Sequence, residues 1–179
     1  MNLRIISGIY GKRVIKALDN GVTHPMSERV RGSLFNIVGD EINGADVLDA
    51  FAGSGSLGLE ALSRGAKHAT FVERDNGAVQ ILLANIKALQ ADSKSTVLSL
   101  DLDAFINKNS EKLYDVIFTD PPYDDMQLST VSRLEKILKP NGLMILSYPG
   151  RGGVPTVDGI VVVDNRSYGT AALAFYRKK

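Results

Sequence analysis

The chain has no cysteine, which excludes disulfides and thiolate metal sites. Its only histidines are His24 and His68, so a zinc site, and a metal site generally, is not expected. Its apolar runs are strand-length and fall short of a membrane span. The opening Met1-Asn2-Leu3-Arg4-Ile5-Ile6-Ser7-Gly8 lacks the apolar core of a signal peptide. A cytoplasmic protein with no membrane partner and no obligate protein partner is the expectation. The net charge is only +1, so the total says little about a polyanionic partner. Its distribution says more. Residues 1–39 carry six basic residues (Arg4, Lys12, Arg13, Lys16, Arg29 and Arg31) against Asp19 and Glu28, whereas the remainder carries 15 basic and 18 acidic residues. A basic end on a mildly acidic body suits a polyanion docking at one place, although an ordinary charged hairpin would look the same.

The 179 residues suffice for one domain with a substantial core. Leu3 to Ser7 and Lys12 to Lys16 are short β-type runs around Gly8-Ile9-Tyr10-Gly11 and read as a hairpin. Asp19 to Pro25 reads as a loop. Ser27 is the expected N-cap of a helix running to about Gly39, with Val30, Leu34, Ile37 and Val38 on its apolar face. Phe35 widens that face, and Arg29, Arg31 and Asn36 are placed elsewhere. From residue 45 strands and helices alternate: strand 45–51, helix 57–64, strand 68–73, helix 76–89, strand 95–100, short helix 101–109, strand 114–119, helix 128–138, strand 143–148. In the second helix Val79, Leu82, Leu83 and Ile86 form the expected buried stripe. Two final strands, 159–164 and 171–176, follow with no helix between them, which adds an antiparallel pair. This pattern predicts a doubly wound, Rossmann-like α/β fold with a mostly parallel sheet.

Two stretches carry chemistry. Strand 114–119 ends in Asp120-Pro121-Pro122-Tyr123, where open α/β sheets bind ligands. Prolines remove backbone donors and leave carbonyls free to accept. By itself this tetrapeptide also describes a plain turn. The second stretch is Asp49-Ala50-Phe51-Ala52-Gly53-Ser54-Gly55-Ser56-Leu57-Gly58. Its small residues let a ligand approach the backbone. Gly53, Gly55 and Gly58 match a dinucleotide fingerprint, and Glu73 stands where an acid meets ribose hydroxyls. An NAD-dependent oxidoreductase is therefore a competing reading. Against it, little chain remains for a second catalytic domain. Asp49 would repel a pyrophosphate but could accept from a ligand ammonium. Asp101, closing the third strand, could meet an adenine edge. S-adenosylmethionine combines an amino-acid end, a ribose and an adenine without phosphate.

The segment from Val47 to Ala66 closely resembles the cofactor loop of the RsmD-type methyltransferases, which modify a guanine N2 in bacterial 16S ribosomal RNA. Phe71-Val72-Glu73-Arg74-Asp75, Phe118 to Tyr123, Arg29-Val30-Arg31 with Leu34-Phe35-Asn36, Arg4 to Gly8 and Tyr168-Gly169-Thr170 are also similar. The resemblance implies a class I methyltransferase sheet of seven strands with one antiparallel strand. It also implies an extension over residues 1–43 and a methyltransferase domain over 44–179. The cofactor positions are Asp49, Phe51, Ala52, Gly53, Ser54, Gly55, Glu73, Arg74, Asp101, Leu102 and Asp120. Asp120, Pro121 and Tyr123 form the catalytic pocket, and Arg4, Lys12, Arg13, Arg29 and Arg31 hold RNA phosphates. The implied partner is 16S rRNA, within the 30S subunit or an assembly intermediate. Adenine N6 of a nucleic acid, a protein glutamine amide and a non-catalytic RNA-binding module are the alternatives. The chain departs from the family pattern at Thr23 to Glu28, where the usual segment is closer to Arg-Pro-Thr-x-Asp. Gly32 stands in place of a common Glu. Ser147-Tyr148 replaces a usual Val-Glu, with no expected consequence for the chemistry.

Overall fold

The computed structural model describes residues 1–18 and 25–179; most of the expected loop at 19–25, with Thr23 and His24, lies outside them. The N-terminal hairpin pairs β1 (Asn2–Arg4) with β2 (Val14–Lys16) antiparallel, with Leu3 opposite Ile15. Helix α1 (Glu28–Val38) is capped by Ser27, whose hydroxyl accepts from the Val30 N–H. That hydroxyl satisfies one of the orphan donors of the first turn.

The other strands and helices are β3 (Asp46–Asp49), α2 (Ser56–Ser63), β4 (His68–Glu73), α3 (Asn76–Leu89), β5 (Ser95–Ser99), α4 (Leu102–Lys108), β6 (Tyr114–Thr119), α5 (Leu128–Arg133), β7 (Leu138–Pro149), β8 (Ile160–Tyr168) and β9 (Ala171–Lys178). Among the described residues the large sheet has seven strands in the order β5-β4-β3-β6-β7-β9-β8. Its first five are parallel, and β9 runs against both β7 and β8. The expected mostly parallel, doubly wound sheet is therefore present. One face packs Val47, Phe71, Phe118 and Ile145 against α1, α2 and α3, and takes Ile5 and Ile15 of the hairpin segment into the same core. The other packs Leu48, Ile117, Met144 and Tyr176 against α4 and α5. Strand order reverses between β3 and β6, and ligands bind at such switch points outside the strands' C-terminal ends.

Three local expectations change. Leu83 is 43% exposed, while Asn85 is buried. The hairpin docks on the Asn85 side of α3, through Lys16, and shifts the buried face that way. The helix expected over 128–138 stops at Arg133 and tightens into a 3-10 turn, Leu134–Ile137. Strand β7 then starts at Leu138, opposite Tyr114, and an irregularity between Tyr114 and Val116 absorbs Pro140-Asn141-Gly142. No helix among the described residues is long and apolar enough to cross a membrane.

Candidate active site

Asp49 closes β3 and is 1% exposed. Its Oδ2 accepts from the Gly58 N–H at 2.9 Å, and its Oδ1 has no partner. Burial pushes its carboxyl up to about 7, against the Gly58 hydrogen bond and with help from the charges of Asp120 and Glu73. A buried orphan oxygen is costly unless a ligand donor meets it. The loop beyond is held by its neighbours: Ala50 N–H donates to the Phe118 carbonyl and Ala52 N–H to that of Val72. Its glycines differ in purpose. A Cβ on Gly53 would meet nothing within 4 Å, so this position is open to a ligand, whereas one on Gly58 would lie 2.3 Å from the Phe71 ring. Gly58 thus serves the packing of α2 on β4, and Gly53 the approach of a ligand.

Glu73, at the end of β4, accepts from the Gly53 N–H through Oε2 and from the Asp75 N–H through Oε1, both at 2.8 Å. Asp101 caps α4: its Oδ1 accepts from the Ala104 N–H at 2.7 Å, and the next residue, Leu102, is buried. Phe51 is half-buried against the α4–α5 side of the core, Ala52 is buried, and Arg74 is exposed. Ser54 gives its carbonyl to the Asn85 amide at 2.9 Å. Three strand ends thus present carboxylates around a small-residue loop. That arrangement can receive an ammonium, a diol and a donor-bearing ring edge.

Asp120 follows β6 beside this loop. Burial raises its carboxyl to about 6, and a hydrogen bond from Ser147 lowers it. Pro121 is buried. Tyr123 is 41% exposed, with its hydroxyl 2.8 Å from Ser147 Oγ. Burial also pushes the Tyr123 phenol up, against the Ser147 hydrogen bond. Thr119 donates its hydroxyl to the Ile145 carbonyl at 2.8 Å and ties the end of β6 to β7.

The basic residues divide. Arg4, Lys12, Arg13 and Arg29 are exposed. Arg29 sits in the first turn of α1. The Arg13 guanidinium donates to the Ala88 carbonyl, in the last turn of α3, and lies 6.0 Å from the Tyr10 ring centroid. Since α3 begins just after Glu73, Arg13 stands roughly 18 Å along that helix from the site end. Arg31 is a correction: it is fully buried, donates to the Met26 and Arg4 carbonyls and lies 3.9 Å from Glu60. It faces the core instead of solvent because Phe35, one turn on, widens the buried face onto its stripe.

Two polar residues that the sequence reading passed over matter here. Ser147 appeared only as a departure from the family pattern, yet its Oγ lies 2.8 Å from the Tyr123 hydroxyl and its hydrogen bond lowers the Asp120 carboxyl. Glu60 is fully buried and accepts from the Ile6 and Ser7 N–H groups and from Arg64 Nε. Ser147 becomes legible only once β6 and β7 are known to be neighbours. Glu60 shows only as an acid amid an apolar helix.

Comparison with known proteins agrees with this architecture. The family model described as conserved hypothetical protein 95 matches residues 3–177. The Bacillus subtilis protein YlbH is 33% identical over 183 residues, covering 99% of this chain and 100% of its own. Ribosomal RNA small subunit methyltransferase D of Haemophilus influenzae is 31% identical over 180 residues, covering 98% and 93%. The solved structure of Escherichia coli yhhF superposes with a TM-score of 0.89 at 32% identity, over 100% of this chain and 99% of that one. The sheet is that of the class I methyltransferases, and the chain belongs to the conserved hypothetical protein 95 family, the family of ribosomal RNA small subunit methyltransferase D.

Proposed function

We propose that this protein transfers a methyl group from S-adenosylmethionine to the exocyclic N2 amine of a guanine in 16S ribosomal RNA. The observation that carries the proposal is the pair of carboxylates on adjacent strand ends at the switch point, Asp49 buried with an orphan oxygen and Asp120 half-buried. S-adenosylmethionine, when bound, supplies an already activated methyl group on its sulfonium. Asp49 Oδ1 then accepts from the ammonium, directly or through water. Glu73 accepts from ribose hydroxyls with its remaining lone pairs. Asp101, with its second oxygen, and Leu102 meet the adenine, and the loop from Phe51 to Gly55 and Arg74 border the cofactor.

A purine amine is a weak nucleophile because its lone pair is delocalised into the ring. Asp120 and the Pro121 carbonyl accept its two N–H groups and turn the lone pair towards the methyl carbon. The Asp120 carboxylate stabilises the positive charge that grows on nitrogen and can take the departing proton. Tyr123 stacks on the base, which must lie outside a helix to reach it. Residues 1–43 form the RNA-facing extension, with Arg4, Lys12, Arg13 and Arg29 towards phosphates, and residues 44–179 the catalytic unit. The H. influenzae relative is named for the small-subunit RNA. That name supports 16S rRNA, in the 30S particle or an assembly intermediate, as the partner, and so the cytoplasm as the location.

The test is labelled methyl transfer to naked 16S rRNA, to 30S particles and to DNA, followed by nucleoside analysis. N2-methylguanosine from rRNA or 30S particles is expected. Label only on DNA adenine would overturn the assignment. Asp120→Ala is expected to lower kcat by about a hundredfold or more while cofactor affinity survives; normal turnover would remove Asp120 from the chemistry.

A further inference from the structure

Thr119 lies opposite Leu146 in the parallel β6–β7 pairing. Asp120, the first residue past β6, therefore follows Thr119 on the side of Ser147, which is still within β7 and opposite Leu173 of β9. Side chains alternate along strands, and Phe118 and Ile145 both enter the core beneath α1–α3. Asp120 and Ser147 point to that same face. Ser147 is 3% exposed. Its Oγ lies 2.8 Å from the Tyr123 hydroxyl and also engages the Asp120 carboxylate. An ionised carboxylate only accepts, and a serine hydroxyl has a single proton. With Asp120 ionised the order is thus determined: Tyr123 O–H donates to Ser147 Oγ, and Ser147 O–H donates to Asp120.

We propose that Ser147 is a positioning residue of the amine pocket, joining the Asp120 carboxylate and the Tyr123 ring into one rigid unit. The inference rests on the methyl-transfer reading of that pocket and adds a residue to it. Ser147 holds one carboxylate oxygen and leaves the other for the amine. It also anchors Tyr123 by its hydroxyl, so an exposed ring that would otherwise rotate presents a fixed stacking face. A site arranged before the base arrives loses less entropy when it forms. Burial and Ser147 set the Asp120 carboxyl, and its charge in turn raises Asp49 of β3 and Tyr123 of its own loop. Glu73 of β4 acts on Asp49. Beneath the site α1 presents Phe35 to Phe118, with ring centroids 5.4 Å apart, and the charges on that side are Arg31 of α1 with Glu60 of α2 and Arg64, whose guanidinium lies 5.0 Å from the Phe35 ring centroid.

The test compares Ser147→Ala, Tyr123→Phe and the double variant with the wild type. Asp120 is titrated by carboxyl NMR without RNA, and kcat, KM and cofactor affinity are measured with it. Loss of the Ser147 donor withdraws support from the charged carboxylate, so the Asp120 midpoint is expected to rise in Ser147→Ala. A fall in kcat of about tenfold, the size of one charge-assisted hydrogen bond, is expected with cofactor affinity unchanged. The double variant should lose less than the two single losses combined, because both break one chain. Tyr123→Phe, on the exposed side, is the variant to rely on should Ser147→Ala not fold; it is expected to move the midpoint the same way by less. A wild-type midpoint in these variants, or fully additive losses, would overturn the inference. The titration needs no RNA. A wild type that methylates only DNA or protein would therefore overturn the proposed substrate and leave the role of Ser147 standing.

Discussion

Asp49 sets a pH dependence that belongs to a single residue. Its carboxyl is raised to about 7 in the folded chain, against about 4 in an unfolded one. Below about pH 4 both states are protonated. Between about 4 and about 7 the folded chain holds a proton that the unfolded chain has released, so stability falls as pH rises through that window. Asp120, raised to about 6, acts in the same direction. The ligand-free protein is expected to melt at a lower temperature at about pH 8 than at about pH 6, and Asp49→Asn to flatten that slope. The ammonium of the proposed cofactor prefers the ionised carboxylate, so binding should tighten up to about pH 7 and release a proton below it. Calorimetry in buffers of different ionisation enthalpy reads that proton directly. An Asp49→Asn variant with wild-type pH dependence would show that another group is responsible.

At the scale of elements, the N-terminal segment is fastened to the sheet domain by side chains that no local pattern reveals. Glu60 of α2 takes the Ile6 and Ser7 N–H groups at 2.8 and 3.1 Å and Arg64 Nε at 2.7 Å. Arg31 of α1 lies against the same carboxylate, and its pKa is lowered, chiefly by burial and against the pull of Glu60. Removing Glu60 would leave Arg31 buried without its counter-charge, which typically costs about 3 to 5 kcal/mol. Glu60→Ala is expected to lose stability of that size in urea unfolding and to make residues 1–16 sensitive to limited proteolysis. Wild-type stability would show that the segment is held by apolar contacts alone. Asn85 of α3 does comparable work between Lys16 of β2 and the Ser54 carbonyl of the glycine loop. The hairpin and the loop thereby share one buried amide.

For the whole molecule the question is how its modest charge is arranged. The exposed basic residues lie at different heights. Arg29 stands on the first turn of α1, and Arg13 is fastened near the C-terminal end of α3. An RNA reaching both would run along the hairpin side of the molecule. Arg29→Gln and Arg13→Gln should each lower the salt slope of RNA binding by roughly 0.7, the value for one phosphate contact on a single strand. Arg31→Gln should cost stability instead. Filter binding over a potassium chloride series checks these outcomes. An unchanged slope in Arg29→Gln would take that residue out of the interface.

Much of the architecture was legible in the amino-acid order. Alternating apolar runs and amphipathic helices imply a doubly wound sheet, because each period admits one way of burying its face. The helix-less final pair implies the antiparallel strand. Glycine spacing and acids at strand ends mark the candidate site for the same local reason. Leu83, Arg31 and Ser147 were not legible, and each for a tertiary reason. The docked hairpin shifted the buried face of α3 away from Leu83. Phe35 and Glu60 together drew Arg31 into the core, where composition would place it in solvent. Ser147 gained its neighbours only when β7 lay beside β6, 27 residues along the chain from Asp120. Local periodicity determined which elements form and which strand ends carry the acids and glycines of the candidate site. Which polar side chains meet there was decided by strand order, because hydrogen bonds depend on neighbours in space that the chain brings together only on folding.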